Sequence, residues 1–129
     1  MIIDDPHSEQ SDDCQGPTQV IARRLLFACI KESERQALSI KDLDRTLGST
    51  IAIAHQPEKV ADFFRNLSSD LQKADIIRQE LEGLSRVLDL LWNVETLDDR
   101  ISNDRIYCCT PLVDMQRRLL NLDRCISVA

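Results

Sequence analysis

The stretch "SDLQKADIIRQELEGLSRVLDLLWNV", residues 69–94, decides the fold. Ala74, Ile77, Leu81, Leu84, Leu88 and Leu91 recur at alternating spacings of three and four, the period of a helix with a coiled-coil-like seam. Ser69 followed by Gln72 predicts a capping box at its start. Ile76, Val87, Leu90 and Val94 widen the apolar arc beyond what one neighbouring helix covers, which points to a bundle core or to a bundle plus an oligomer contact. Gly83 lies within that arc, so its missing Cβ either admits a close neighbour or is simply tolerated.

The same spacing reappears toward the C-terminus at Leu112, Met115, Leu119, Leu122 and Ile126, broadened by Val113 and Leu120. In "IYCCTPLVD", residues 106–114, Thr110 reads as a helix cap and Pro111 as its first residue, with the preceding residues in a loop. Two such helices, about 70–94 and 111–127, predict an antiparallel helical hairpin joined through 95–110. Within that connection, Thr96 and Asp99 suggest a short helix over 95–105.

Working back toward the N-terminus, "PTQVIARRLLFACIKESERQAL" gives a helix from Pro17 with Ala22, Leu26, Ile30 and Ala37 on one face and Ile21, Leu25 and Ala28 alongside. Ser39 and Asp42 resemble a second capping box, opening a helix with Ile40, Leu43, Leu47, Ile51 and Ala54 on one side. Gly48 leaves two readings: a helix running through it, or a turn. Pro57 ends that segment and starts a short helix, "PEKVADFFRNL". The fold class is therefore all-α: a small bundle of four to five helices in one domain, 17–127, with the 70–94/111–127 hairpin at its centre.

Composition agrees. Only 4% of the 129 residues are aromatic, so the core rests on aliphatic side chains. Residues 1–16 hold five acidic residues and no Lys or Arg, and account for most of the net charge of −6. That segment reads as a disordered acidic tail, and the remainder is almost neutral. Without a basic patch, nucleic acid is an unlikely partner on these grounds. The acidic N-terminus does not resemble a secretory signal, and the longest apolar run, "LLFACI", is too short to span a bilayer. A cytoplasmic protein with reduced thiols and no membrane association is the expectation.

Chemistry-bearing constellations are sparse. Five cysteines at 14, 29, 108, 109 and 125 lack the paired spacing of a zinc site, and only His7 and His55 could join them. Cys108 and Cys109 are a candidate redox pair. No phosphate loop or dinucleotide fingerprint is present, and Asp98 and Asp99 are adjacent rather than opposed across a cleft. No cofactor, metal or catalytic residue is expected.

The function expected is a non-enzymatic helical protein–protein interaction module, an adaptor, regulator or chaperone-like partner, self-associating as a homo-oligomer. Its candidate interface is Ile76, Val87, Leu90, Trp92, Val113 and Leu120, with Trp92 as an anchor. Arg23-Arg24 and Arg117-Arg118 are either surface-paired or a polar rim. The alternative is a small helix-turn-helix transcriptional regulator using residues 39–56, "SIKDLDRTLGSTIAIAHQ", although no Arg or Lys lies between 49 and 56 to read DNA.

Overall fold

The computed structural model describes residues 18–120; the acidic N-terminal segment and the C-terminal residues from 121 lie outside the described part. The order is β1 (Gln19–Ile21), α1 (Ala22–Ala52), a 3-10 turn (Pro57–Lys59), α2 (Val60–Trp92), β2 (Arg100–Ser102), α3 (Asn103–Cys109) and α4 (Val113–Leu120). The described chain is mostly helical, as the periodicity implies.

Two long helices dominate. Residues 22–52 form one helix, so the capping box expected at Ser39 does not start a new element. The segment before it, "KESERQA", is made largely of good helix formers, and a Ser cap competes only where the preceding backbone is already extended. Gly48 does not turn the chain either, and a Cβ built on it meets nothing within 4 Å. Gly48→Ala is therefore expected to raise stability by about 1 kcal/mol through helix propensity alone. Thermal unfolding followed by circular dichroism checks this, and a lower Tm would contradict an unbroken helix.

Pro57 acts as expected: Gln56 before it is extended (φ −103°, ψ 106°), and the helix stops short of it. Beyond Pro57, however, the chain does not form a short helix that restarts at Ser69. It runs unbroken from Val60 to Trp92.

α1 and α2 pair antiparallel. Thr50 near the end of α1 meets Asp70 near the start of α2, and Gln36 meets Glu80 further along. The long pair thus joins 22–52 to 60–92. Of the partner expected for 70–94, the described part, α4, packs more extensively on α1 than on α2, and 121–127 lies outside the described residues.

The N-terminal end departs from the expected helix start at Pro17. Gln19–Ile21 is a strand, antiparallel to Arg100–Ser102 with Val20 opposite Ile101. The loop that carries β2 also closes the helix. Asp99 and Leu97 carbonyls accept the N–H groups of Ala22 and Arg23, each at 2.8 Å, so first-turn donors are satisfied without a side-chain cap. Residues 95–99 are accordingly a turn rather than a helix. The Asp99 carboxylate accepts the backbone N–H groups of Thr96 and Glu95 and the Thr96 hydroxyl, which hold it below the usual carboxylate range.

Ser102 caps α3 by accepting the Asp104 N–H at 3.2 Å. Cys108 and Cys109 are therefore helical, not loop, residues. Thr110 ends α3, and α4 begins at Val113 instead of Pro111. The apolar core lies at this end of the molecule: Leu25, Ala28 and Cys29 of α1, Leu84 and Val87 of α2, then Ile101, Ile106, Met115 and Leu119. The other half of the α1/α2 hairpin projects from this base with no third element against it in the described residues.

Candidate functional site

From the edge of the core toward the tip of the hairpin, the side chains buried between the helices are polar. Glu32, Gln36 and Thr50 on α1 and Asp70 and Glu80 on α2 are the buried residues of this region. These residues fall on the seam positions of both helices, which are Leu25, Cys29, Glu32 and Gln36 on α1. Of the face expected at Ala22, Leu26, Ile30 and Ala37, Ala22 is fully buried and Leu26 half-buried, while Ile30 and Ala37 are exposed; Leu25 and Ala28, expected alongside, are the buried ones.

One cluster joins three elements. The Arg118 guanidinium of α4 donates to both oxygens of Glu32 (2.8 and 2.9 Å) and to Glu80 (3.0 Å). The Gln36 amide nitrogen donates to the same two carboxylates, 2.9 Å to Glu32 and 2.7 Å to Glu80. Burial pushes the Glu32 carboxyl up, but the hydrogen bonds from Arg118 and Gln36, with the charges of Arg118 and Arg35, outweigh it and hold the group below its ordinary value. Arg118 thus pairs with acidic residues of neighbouring helices, as one of the two readings of Arg117-Arg118 has it, but the pair is buried rather than on the surface, and it clamps α4 to both long helices. Nearer the tip, the Thr50 hydroxyl donates to Asp70 at 2.7 Å and lies 3.0 Å from the Thr46 carbonyl.

The second feature is an apolar stripe. On α1, Leu26, Ile30, Ala37, Ile40, Leu47 and Ile51 lie on one heptad-spaced line, with Ser33 and Asp44 filling the gaps. On α2, Val60, Phe64, Leu71, Leu81, Leu88 and Trp92 follow the same spacing, interrupted by Arg78 and Ser85. Both lines are rotated from the seam in the same sense along their own chains. In an antiparallel pair that places them on one face. α3 and α4 pack on the opposite face, through Ala28, Gly83 and Val87. Most of the stripe is open: Ile51 is 62% exposed, Phe64 61%, Leu71 60% and Trp92 87%. A shallow groove borders it on α2 alone, leading from Phe64, Leu67 and Leu71 of the stripe round to Ser68, Gln72, Asp75 and Ile76 on the outer side of that helix.

The residues singled out from the sequence separate into two groups. Ile76, Trp92 and Val113 are exposed. Val87 is fully buried and belongs to the core, because α3 and the Thr110 segment cover that flank of α2; Leu90 and Leu120 are partly buried against the same core. The candidate interface is thus not one surface, and the wide arc of α2 is divided between the base and the open face.

Cys108 is exposed and Cys109 buried, and both are free thiols. Burial and the adjoining Cys108 raise the Cys109 thiol above its ordinary value, against the opposing charges of Arg86 and Arg105. Burial, then Glu32 and Cys109, push the Cys29 thiol from 9.0 up to about 12. A raised thiol is a poor nucleophile at neutral pH. Alkylation at mild pH is expected to label Cys108 rapidly and to spare Cys29 and Cys109 until unfolding, read by mass spectrometry of digested protein. Equal rates would contradict this burial. Because the unfolded Cys29 titrates near 9 and the folded one near 12, its contribution to stability is full below pH 9 and is lost as pH rises through that window.

His55 sits in the turn after α1, at the far end of the hairpin from Cys108 and Cys109, so no Cys–His pair is assembled. Asp98 pairs with Arg23 at 2.6 Å on the surface, apart in role from Asp99. Residues 39–52 lie within one helix, so the helix–turn–helix expected over 39–56 is not formed. Among the described residues no group of three or more His, Cys, Asp or Glu side chains is placed to hold a metal ion. No described helix is long and apolar enough to cross a membrane.

No protein-family model, curated protein or solved structure matches the chain.

Proposed function

We propose that the protein is a non-enzymatic helical interaction module, self-associating, of the adaptor or regulator kind, which binds through the open face of its α1/α2 hairpin. One observation carries this reading: an apolar line on each of two paired helices, on the same face, most of it left open by the described residues. The largest apolar patch on an ordinary monomer is roughly 300–600 Å². Nine stripe side chains between 39% and 87% exposed leave on the order of 900 Å², taking roughly 100 Å² each. Burying that area is the favourable term in association.

The polar seam supports the same reading. A hairpin held by Glu32–Gln36–Glu80 and Thr50–Asp70 contacts keeps its two helices in register while sending apolar residues outward. Such buried polar contacts serve registry better than they serve stability. Gel filtration of the native cell extract tests the proposal. Wild-type chain is expected to elute well above its own 14.7 kDa, and chain carrying Ile40→Glu and Leu71→Glu near it. Identical elution of the two would remove the open face as the binding surface.

A further inference from the structure

We propose that the occupant of the open face is a second copy of this chain, two hairpins closing face to face into a four-helix bundle; this deepens the interaction reading above and rests on it. Area is the first argument. A stable interface of standard size takes about 800 Å² from each partner, and the stripe supplies about that much without any rearrangement.

The second argument is self-complementarity. The Gln36–Glu80 and Thr50–Asp70 contacts fix the heights of the two helices. They put Ile30 level with Leu88 and Leu47 level with Leu71, so apolar positions on the two helices stand side by side. A two-fold contact joins identical surfaces, and here the required surface is flat, apolar and spaced for knobs-into-holes packing. α3, α4 and the β1/β2 ribbon are on the other face or beyond the end, so they do not obstruct it.

Charge sets the orientation. The stripe is interrupted by one acidic residue on α1, Asp44, and one basic residue on α2, Arg78. With the two-fold axis parallel to the helices, α1 of one copy lies over α2 of the other. Asp44 then stands level with the partner subunit's Ala74, about one turn from Arg78 of the partner subunit, and the approach occurs twice. Arg78 already donates to Asp75 (2.9 Å) and Glu82 (2.8 Å) on its own helix, so Asp44 adds to an existing ion-pair cluster. The alternative, an axis across the helices, lays α1 on α1, whose stripe positions carry no Lys or Arg. Opposite charges at these positions fix register and orientation more than affinity.

Sedimentation velocity on the purified full chain tests this, from about 1 to 100 µM, where a standard interface passes from dissociated to associated. Wild type is expected to reach twice the monomer mass. Ile40→Glu with Leu71→Glu should remain monomeric at all concentrations with unchanged helical circular dichroism. Phe27→Glu, exposed but off the stripe, should dimerise like wild type. Asp44→Arg should weaken the dimer about tenfold, from like charge placed against Arg78 of the partner subunit. A monomeric wild type, equal loss with Phe27→Glu, or an unaffected Asp44→Arg dimer would each overturn the proposal. A monomeric purified chain whose extract complex still depends on the stripe would remove the second copy, and self-association with it, and keep the open face as a binding surface for another protein; an extract complex indifferent to the stripe would remove both.

Discussion

Arg118→Met is expected to lower the unfolding free energy by about 3 kcal/mol, the low end for breaking a buried ion pair, because the Arg118 side chain is still 26% exposed. The substitution keeps the length and apolar stem of the side chain. What it removes are three charge-assisted hydrogen bonds, and it leaves Glu32 and Glu80 facing each other through one Gln36 amide. Adding Glu32→Gln should restore part of the loss, since the remaining buried charge then has no like neighbour. Urea denaturation of the single and double variants measures this, and a double variant less stable than Arg118→Met alone would contradict the assigned geometry.

The same cluster fixes an acid limit. Glu32 is held below its ordinary value in the folded chain, so its contribution is full above the ordinary carboxylate range. As pH falls through the lowered folded-state value, the unfolded chain binds the proton more readily and the contribution is lost. In the Arg118→Met variant the acid side of the stability profile should flatten.

Gly83→Ala has the second largest expected effect. A Cβ there would stand 2.8 Å from the Thr110 Cβ, 3.1 Å from its hydroxyl oxygen and 3.4 Å from the Met115 sulfur. Thr110 cannot easily yield. It is fully buried, its carbonyl accepts the Gln116 amide at 2.8 Å, and the neighbouring Cys109 carbonyl accepts Arg86 at 3.1 Å. Overpacking of about 1–3 kcal/mol is set against the ~1 kcal/mol that Ala contributes to a helix, for a net loss of up to about 2 kcal/mol. Gly48→Ala is the internal control, expected to have the opposite sign. If both substitutions stabilise, the α3–α4 junction does not sit on α2 as described.

The periodicity of 69–94 made the helical class legible, because burial at one side of a helix leaves a 3.6-residue mark. Pro57 was legible as a stop, since its ring excludes the helical conformation before it. Ser39, Ser69 and Gly48 were not breaks. A capping pattern also occurs by chance inside helices, and tertiary packing overrides a single glycine. The ribbon of Gln19–Ile21 with Arg100–Ser102 was hidden because three-residue strands leave too short an alternation to read.

The site was less legible than the fold. Glu32 and Gln36, four apart among apolar positions, were the available signal that the α1 seam is polar. Apolar spacing alone does not register such positions, so it points to the face of Ala22, Leu26, Ile30 and Ala37. Arg118 gives no local sign of its role, since its partners are 86 and 38 residues away. The stripe becomes visible only when 22–52 is one helix, for its two halves then fall on one line.

The most direct measurement is photo-crosslinking in the native cell with a photoreactive residue at Leu71, against the same probe at Phe27. The account predicts an adduct of twice the chain mass at Leu71, mapped to residues 40–51 of a second copy, and none at Phe27. Absence of an adduct at Leu71, or equal adducts at both positions, would contradict it.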